Sequence, residues 1–213
     1  INVTYTQLGS FKVDMTVKSN SCGDSTISKN VYVVPKPTAS LVLSQNKVCG
    51  GNVVTATNTS VNDPIVKYQW IITPATGWVL TSGTLTSNSI DIRFNNKGNY
   101  NVKLRAYVAL CDDEASQNVA VTTVPTIDTN AIPVVCTLPY IFNNTKGTVS
   151  DTDDYFIFDN GNDNAATYTW AFDNGTPSSS GIRNPGNIAY NTIGTYGIFA
   201  QITNQCGLDS ITL

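Results

Sequence analysis

Histidine is absent from the 213 residues of this chain. That removes the commonest general base and the commonest metal ligand, so Ser-His-Asp, Cys-His and His-based zinc chemistry cannot be assembled from these residues alone. Charge is scarce too: 12 Lys and Arg against 15 Asp and Glu make up 13% of the residues and leave a net charge of -3. Neither a nucleic-acid surface nor a basic membrane-binding face fits that balance, so neither nucleic acid nor direct membrane insertion is expected. No apolar run approaches the roughly 20 residues that span a bilayer, and no charged, apolar and small-residue leader is present. Long helical stripes are also missing. Over no stretch of about 10 to 12 residues do apolar positions recur at helical spacing.

What the chain has instead is a repeat. Gly9-Ser10-Phe11-Lys12-Val13, Gly98-Asn99-Tyr100-Asn101-Val102 and Gly194-Thr195-Tyr196-Gly197-Ile198 share one pattern, and a cysteine follows each at a similar distance: Cys22, Cys111 and Cys206. The glycines stand 89 and 96 residues apart, about the size of one small domain, which predicts a tandem array. Residue 1 is Ile, and Asn2-Val3-Thr4-Tyr5-Thr6 corresponds to Ser89 to Phe94 deep inside the second copy. The first copy is therefore expected to lack its front half, with any export signal or anchor lying outside this stretch. The expected units are residues 1–36, the C-terminal part of an incomplete repeat; 37–125, a complete repeat; and 126–213, a repeat with an acidic insertion near 147–165.

Within the second copy apolar residues alternate over short runs: Leu41/Leu43, Val53/Thr55/Thr57, Tyr68/Trp70/Ile72, Ile90/Ile92/Phe94 and Tyr100/Val102/Leu104/Ala106. A period of two means strands buried on one face. Turn-forming clusters such as Asn62-Asp63-Pro64 and Asn95-Asn96-Lys97-Gly98 separate them. About seven short antiparallel strands in a sandwich follow, so the fold class is all-β. The aromatic after each repeat glycine fits the start of a sixth strand, where Tyr100 and Tyr196 can bond the backbone and Phe11 can only pack. Trp70 and Trp170 each close a Tyr-x-Trp triplet on the third strand and are read as core. Pro35-Lys36-Pro37 and Val124-Pro125 mark stiff junctions, because proline fixes φ and cannot continue a ladder.

In the third copy Tyr168-Thr169-Trp170-Ala171-Phe172-Asp173-Asn174-Gly175, then Asn184-Pro185, Tyr190 and Gly194-x-Tyr196, resembles the PKD (polycystic-kidney-disease) repeat. The resemblance implies tandem immunoglobulin-like antiparallel β-sandwiches arranged as a rod. It departs at Ala171 and Asn174, where the family usually carries acids. The second copy has Ile71-Ile72-Thr73-Pro74 and no Asp-Gly turn after its Trp, which predicts a different connection there. Together with the added cysteines, the chain looks like the PKD arrays of large surface proteins of the Bacteroidetes, including gliding-motility adhesins exported by type IX secretion.

Five cysteines at domain-equivalent places, none in a C-x-x-C pair, read as a disulfide framework in an oxidising compartment. Two connectivities stand open. Counting within each copy joins Cys49 with Cys111 and Cys136 with Cys206. In an immunoglobulin-like sandwich, however, these cysteines fall at the start of the second strand and the end of the sixth, roughly 25 Å apart for strands of about eight residues. Bridged Cα atoms must lie within about 7 Å. A head-to-tail array would instead join Cys49 to Cys206 across a junction.

No cofactor is expected, with one candidate exception. Asp151, Asp153, Asp154, Asp159 and Asp163 form the densest acidic stretch, and oxygen-rich loops are what Ca²⁺ requires, although no EF-hand pattern is present and Tyr155-Phe156-Ile157-Phe158 also reads as an extra strand between solvated turns. Asp24-Ser25-Thr26 and Asp209-Ser210-Ile211 look like the Asp-Ser/Thr-apolar sequon of the same bacterial group, making Ser25 and Ser210 candidate O-glycosylation sites. Asp112, Asp113 and Glu114 are adjacent acids in a turn, read as solvated rather than catalytic, and no enzyme is expected. The expectation is a stalk or adhesive repeat of a large secreted cell-surface adhesin, contacting neighbouring repeats and extracellular polysaccharide or protein ligands at the bacterial outer surface. Two alternatives come from other classes: spacer or substrate-binding modules beside a secreted degradative enzyme, and a fibre subunit completed by a donated strand.

Overall fold

The computed structural model describes residues 1–132, 134–145 and 153–213. Regular structure among them is almost entirely strand, and no helix is long and apolar enough to cross a membrane. The strands fall into three groups along the chain.

The first group is a single hairpin, β1 (Gly9–Val17) and β2 (Ser25–Val33), antiparallel in register from Gly9↔Val33 to Val17↔Ser25. Opposite residues share a face, so Phe11, Val13, Met15, Ile27 and Val31 line one side of the ribbon. Asn2–Thr6, expected as a strand, forms none; no described strand lies beside it to accept its hydrogen bonds.

The second group is a sandwich of two four-stranded sheets. One contains β4 (Lys47–Cys49), β10 (Cys111–Thr122), β9 (Gly98–Val108) and β6 (Lys67–Thr73) in that order; the other contains β3 (Leu41–Leu43), β5 (Val53–Asn58), β8 (Ser89–Phe94) and β7 (Trp78–Ser82). Trp70, Ile90, Ile92, Phe94, Tyr100, Val102 and Leu104, inward as the alternation predicts, close one core. On β5 the expected face is corrected: Val54 and Ala56, opposite Ile92 and Ile90, are buried, whereas Val53 is exposed and Thr55 turns outward to donate to Asp91. Eight strands appear because the first divides at Ser44–Asn46, its first half pairing with β5 and its second running parallel to β10.

The third group repeats the plan with changes. β14 (Thr167–Phe172), β17 (Ile198–Asn204) and β18 (Gly207–Thr212) form a sheet with the short β15 (Ser179–Ser180), while β12 (Tyr140–Phe142) pairs with β16 (Ile188–Tyr190) and β11 (Thr126–Thr129) with β13 (Phe156–Asp159). β13 is the Phe156-Ile157-Phe158 run expected as an extra strand; it pairs with β11 as β5 pairs with β3, while β12 pairs with β16 as β5 pairs with β8, so two short strands divide the pairings that β5 makes alone. The connection after the core Trp also differs between copies. In the second, Trp78–Ser82 crosses to pair with β8. In the third, Asn174 takes a positive φ and the chain turns back beside β14. Gly175 permits that turn, since a Cβ there would sit 2.7 Å from Ile188 and 2.8 Å from Phe172.

The two tryptophans play equivalent roles. The indole N-H of Trp70 donates to the Ser87 carbonyl and that of Trp170 to the Ile182 carbonyl, both at 2.9 Å, so each ring is buried without an orphaned donor. Around Trp170 stand Phe156, Phe158 and Phe172, with ring centroids 5.0 to 5.7 Å away. Each repeat tyrosine bonds the backbone four residues upstream: Tyr100 Oη to Asn96 O at 3.0 Å, Tyr196 Oη to Thr192 O at 2.8 Å.

Candidate functional site

Outside the two cores, the junction between them gathers a disulfide, an ion pair and several hydrogen bonds. β10 ends at Thr122, and Cys49 lies in register beside Thr122 on the parallel β4. The turn between β17 and β18 reaches this end of the second sandwich and places Cys206 against it. Cys49 and Cys206 form a disulfide with Cα atoms 5.6 Å apart across a sequence separation of 157 residues. In the chain-entropy model a loop of that length opposes complete unfolding by about 5 kcal/mol.

Polar contacts surround the bond. Asn204 Nδ2 donates to Thr123 O at 2.8 Å and Asn160 O at 3.0 Å, while Asn204 Oδ1 accepts from the Cys206 N-H. Gln205 Nε2 donates to Thr122 Oγ1, and Asn162 Nδ2 to Val121 O. The Thr123 N-H donates to Gly161 O at 2.9 Å. Gly161 has φ +69, and a Cβ there would collide with the Thr123 carbonyl, so only glycine lets the loop close onto the linker. Lys97 of the second sandwich forms an ion pair with Asp159 of the third. The Lys97 ammonium, then the Gly161 N-H, hold the Asp159 carboxyl below its ordinary range.

The within-copy disulfide alternative is thereby corrected. Cys111 begins β10 and Cys49 sits beside its last residue, so the length of β10, roughly 35 Å at strand rise, separates them. Cys206 precedes β18, whereas Cys136 lies beyond the other end of that strand, on the pole that also holds Leu213. Cys22, Cys111 and Cys136 are free and exposed.

The acidic candidates are distributed as follows. Asp151 lies outside the described residues. Asp153 is half-buried and Asp154 buried, with Asn130 Nδ2 donating to the Asp154 carbonyl. Asp159 serves the junction, and Asp163 accepts from the Ala165 and Gln205 N-H groups. Among the described residues no three His, Cys, Asp or Glu side chains gather as a metal site. Ser25 and Ser210 are both exposed, and Asp209 Oδ2 accepts the Ile127 N-H at 2.8 Å. Asp112 and Glu114 pair with Arg105 and Lys103 across the β9–β10 ladder, and Asp113 accepts the Ala39 N-H. Trp78 is half-buried against the second core, its indole donating to Pro74 O.

Among the described residues, two apolar surfaces lie open. One is the apolar side of β1–β2, where Met15 is 62% exposed. The other is the far pole of the third sandwich, where a cavity of about 900 Å³ opens among Ile132, Val135, Cys136, Leu138, Ile193 and Leu213. Tyr140 and Tyr190 stand in its wall; burial, reinforced by the Tyr155 hydroxyl, pushes the Tyr140 phenol up to about 12, so it stays neutral. Sequence reasoning missed this pole, although Val134-Val135-Cys136 carried its signal.

Sheets, cores, corner tyrosines and a stapled junction define a tandem of immunoglobulin-like β-sandwiches. Residues 35–121 match the family model of the PKD-like domain. The match falls on the second repeat, the copy without the Asp-Gly turn. No curated protein matches the chain. Among solved structures it is similar to a three-immunoglobulin-domain structure of titin carrying Glu-to-Ala changes (TM-score 0.42, 11% identity, 82% of this chain and 64% of that one). It is also similar to an I-band fragment of titin (TM-score 0.41, 12% identity, 83% and 62%) and to a further titin fragment (TM-score 0.43, 10% identity, 82% and 96%). The chain thus spans less than two thirds of the first two titin structures it matches.

Proposed function

We propose that the chain is part of the stalk or adhesive repeat region of a large secreted cell-surface adhesin of the Bacteroidetes type, serving attachment or motility at the bacterial outer surface. The observation that carries this reading is the Cys49–Cys206 bond between consecutive sandwiches. A disulfide persists in oxidising surroundings, which favours an exported protein. A staple between repeats, added to a prolyl linker and an interdomain ion pair, limits bending and sets reach, the property a spacer needs. Catalysis has no part in the proposal: the adjacent acids Asp112 and Glu114 are engaged by Arg105 and Lys103.

The test is relative motion of the second and third repeats, followed by NMR relaxation before and after mild thiol reduction. Joint tumbling that separates into two rates on reduction is expected. Free reorientation in the oxidised protein would overturn the stalk reading. A second reading, a fibre subunit completed by a neighbour, is favoured by the open apolar side of β1–β2. Filaments under reducing conditions would support it, and a strictly monomeric protein would count against it.

A further inference from the structure

The two ends of the tandem present two halves of the same joint. At the formed junction, the pole of one sandwich offers a cysteine four residues before a strand, Cys49 before Val53, and receives an Asn-x-Cys-Gly turn, Asn204-Gln205-Cys206-Gly207. The third sandwich repeats the first half: Cys136 stands four residues before β12, on the corresponding pole, exposed and free. Hairpin β1–β2 repeats the second half: its turn reads Asn20-Ser21-Cys22-Gly23, and Cys22 is likewise exposed and free. The turn bearing Cys111 reads Leu110-Cys111-Asp112 and lacks both Asn and Gly at those offsets.

We propose that the Cys136 pole is a docking site for the Cys22 turn of a second copy of this chain, closed by a Cys136–Cys22 disulfide. The surfaces match in character as well as in sequence. Val134 and Ile193 on the pole are 96% and 93% exposed, and the cavity between them is apolar. The incoming hairpin brings exposed Val17 and Ile27 close to its turn. Burying both removes apolar area from water on either side. The contact is heterologous, pairing different surfaces of the two copies, so it propagates head to tail rather than closing a dimer.

With glutathione disulfide as oxidant, the Cys136 thiolate attacks one glutathione sulfur and expels the other glutathione as thiolate. The Cys22 thiolate of the second copy then attacks the Cys136 sulfur and expels the second glutathione. Two protein thiols are oxidised and one glutathione disulfide becomes two thiols. The inference extends the stalk reading by naming its partner, and it fails separately, because that reading is tested by motion at the Cys49–Cys206 junction.

The experiment incubates the purified chain at pH 8 with oxidised and reduced glutathione, then resolves it on non-reducing gels and maps unreduced peptides. A ladder of covalent oligomers is expected, with Cys22 linked to Cys136 as the main intermolecular bond. Cys136→Ser and Cys22→Ser should each abolish the main ladder, while Cys111→Ser leaves it intact. All three positions are exposed, so each variant should fold, which retention of the Cys49–Cys206 peptide verifies. Monomers carrying glutathione on Cys136, or bonds spread evenly over the three free cysteines, would overturn the proposal.

Discussion

Phe11, Val13, Met15 and Val17 on β1 stand where Tyr100, Val102, Leu104 and Ala106 stand on β9, counted from the repeat glycine. Both hairpins alternate, and both turn at a cysteine. On β9 all four inward residues are buried, with Leu104 at 0% exposure; on β1 the equivalent Met15 is 62% exposed. The difference comes from the opposite sheet, which the second repeat supplies as β3, β5, β8 and β7 and which β1–β2 lacks among the described residues. Alternation therefore chooses the face of a strand but does not cover it, and an isolated two-stranded ribbon is only marginally stable in water.

The largest test of that comparison is a matched pair of truncations. Leu104→Ala should cost about 2–5 kcal/mol through lost burial and the cavity left behind, whereas Met15→Ala should shift stability by less than about 0.5 kcal/mol. Urea unfolding followed by tryptophan fluorescence reads both, and equal effects would mean that β1–β2 has a covering sheet in solution. A smaller test exchanges the corner residue. Tyr100→Phe removes the hydroxyl bond to Asn96 O and should cost about 1 kcal/mol, while the reciprocal Phe11→Tyr should be near neutral. The smallest concerns the junction. Because the folded Asp159 carboxyl lies below its ordinary range, its stabilisation is present above the unfolded pKa and is lost as pH falls through the folded value. Separation of the two repeats should therefore ease in acid. Lys97→Ala should weaken that acid dependence and its salt sensitivity, with a change in stability of at most about 1 kcal/mol at neutral pH.

Much of the architecture is legible in the residues. The glycine-aromatic motif opens β1 and β9 and stands just ahead of β17, and the Tyr-x-Trp triplets locate the buried rings. The differing connections after the two tryptophans are also foreshadowed, by Asp173-Asn174-Gly175 in one copy and its absence in the other. What the residues conceal is where loops point. Asp159 and Asp163 belong to an oxygen-rich segment that reads locally as a cation loop, but Lys97, 62 residues upstream, faces the first and the Gln205 N-H the second. No local pattern states which distant surface a loop will meet. Gly161 is a similar case, since its necessity appears only once the Thr123 carbonyl lies against it.

The Cys49–Cys206 bond also decides how the chain would respond to being pulled. Tension applied between the two ends enters at Cys49, crosses the sulfur bridge and leaves at Cys206, bypassing nearly all of both sandwiches. The 157-residue separation corresponds, at roughly 3.5 Å per residue, to about 550 Å of contour that cannot be paid out while the bond is intact. Oxidised, these two repeats would behave as an inextensible link; reduced, they would become a shock absorber.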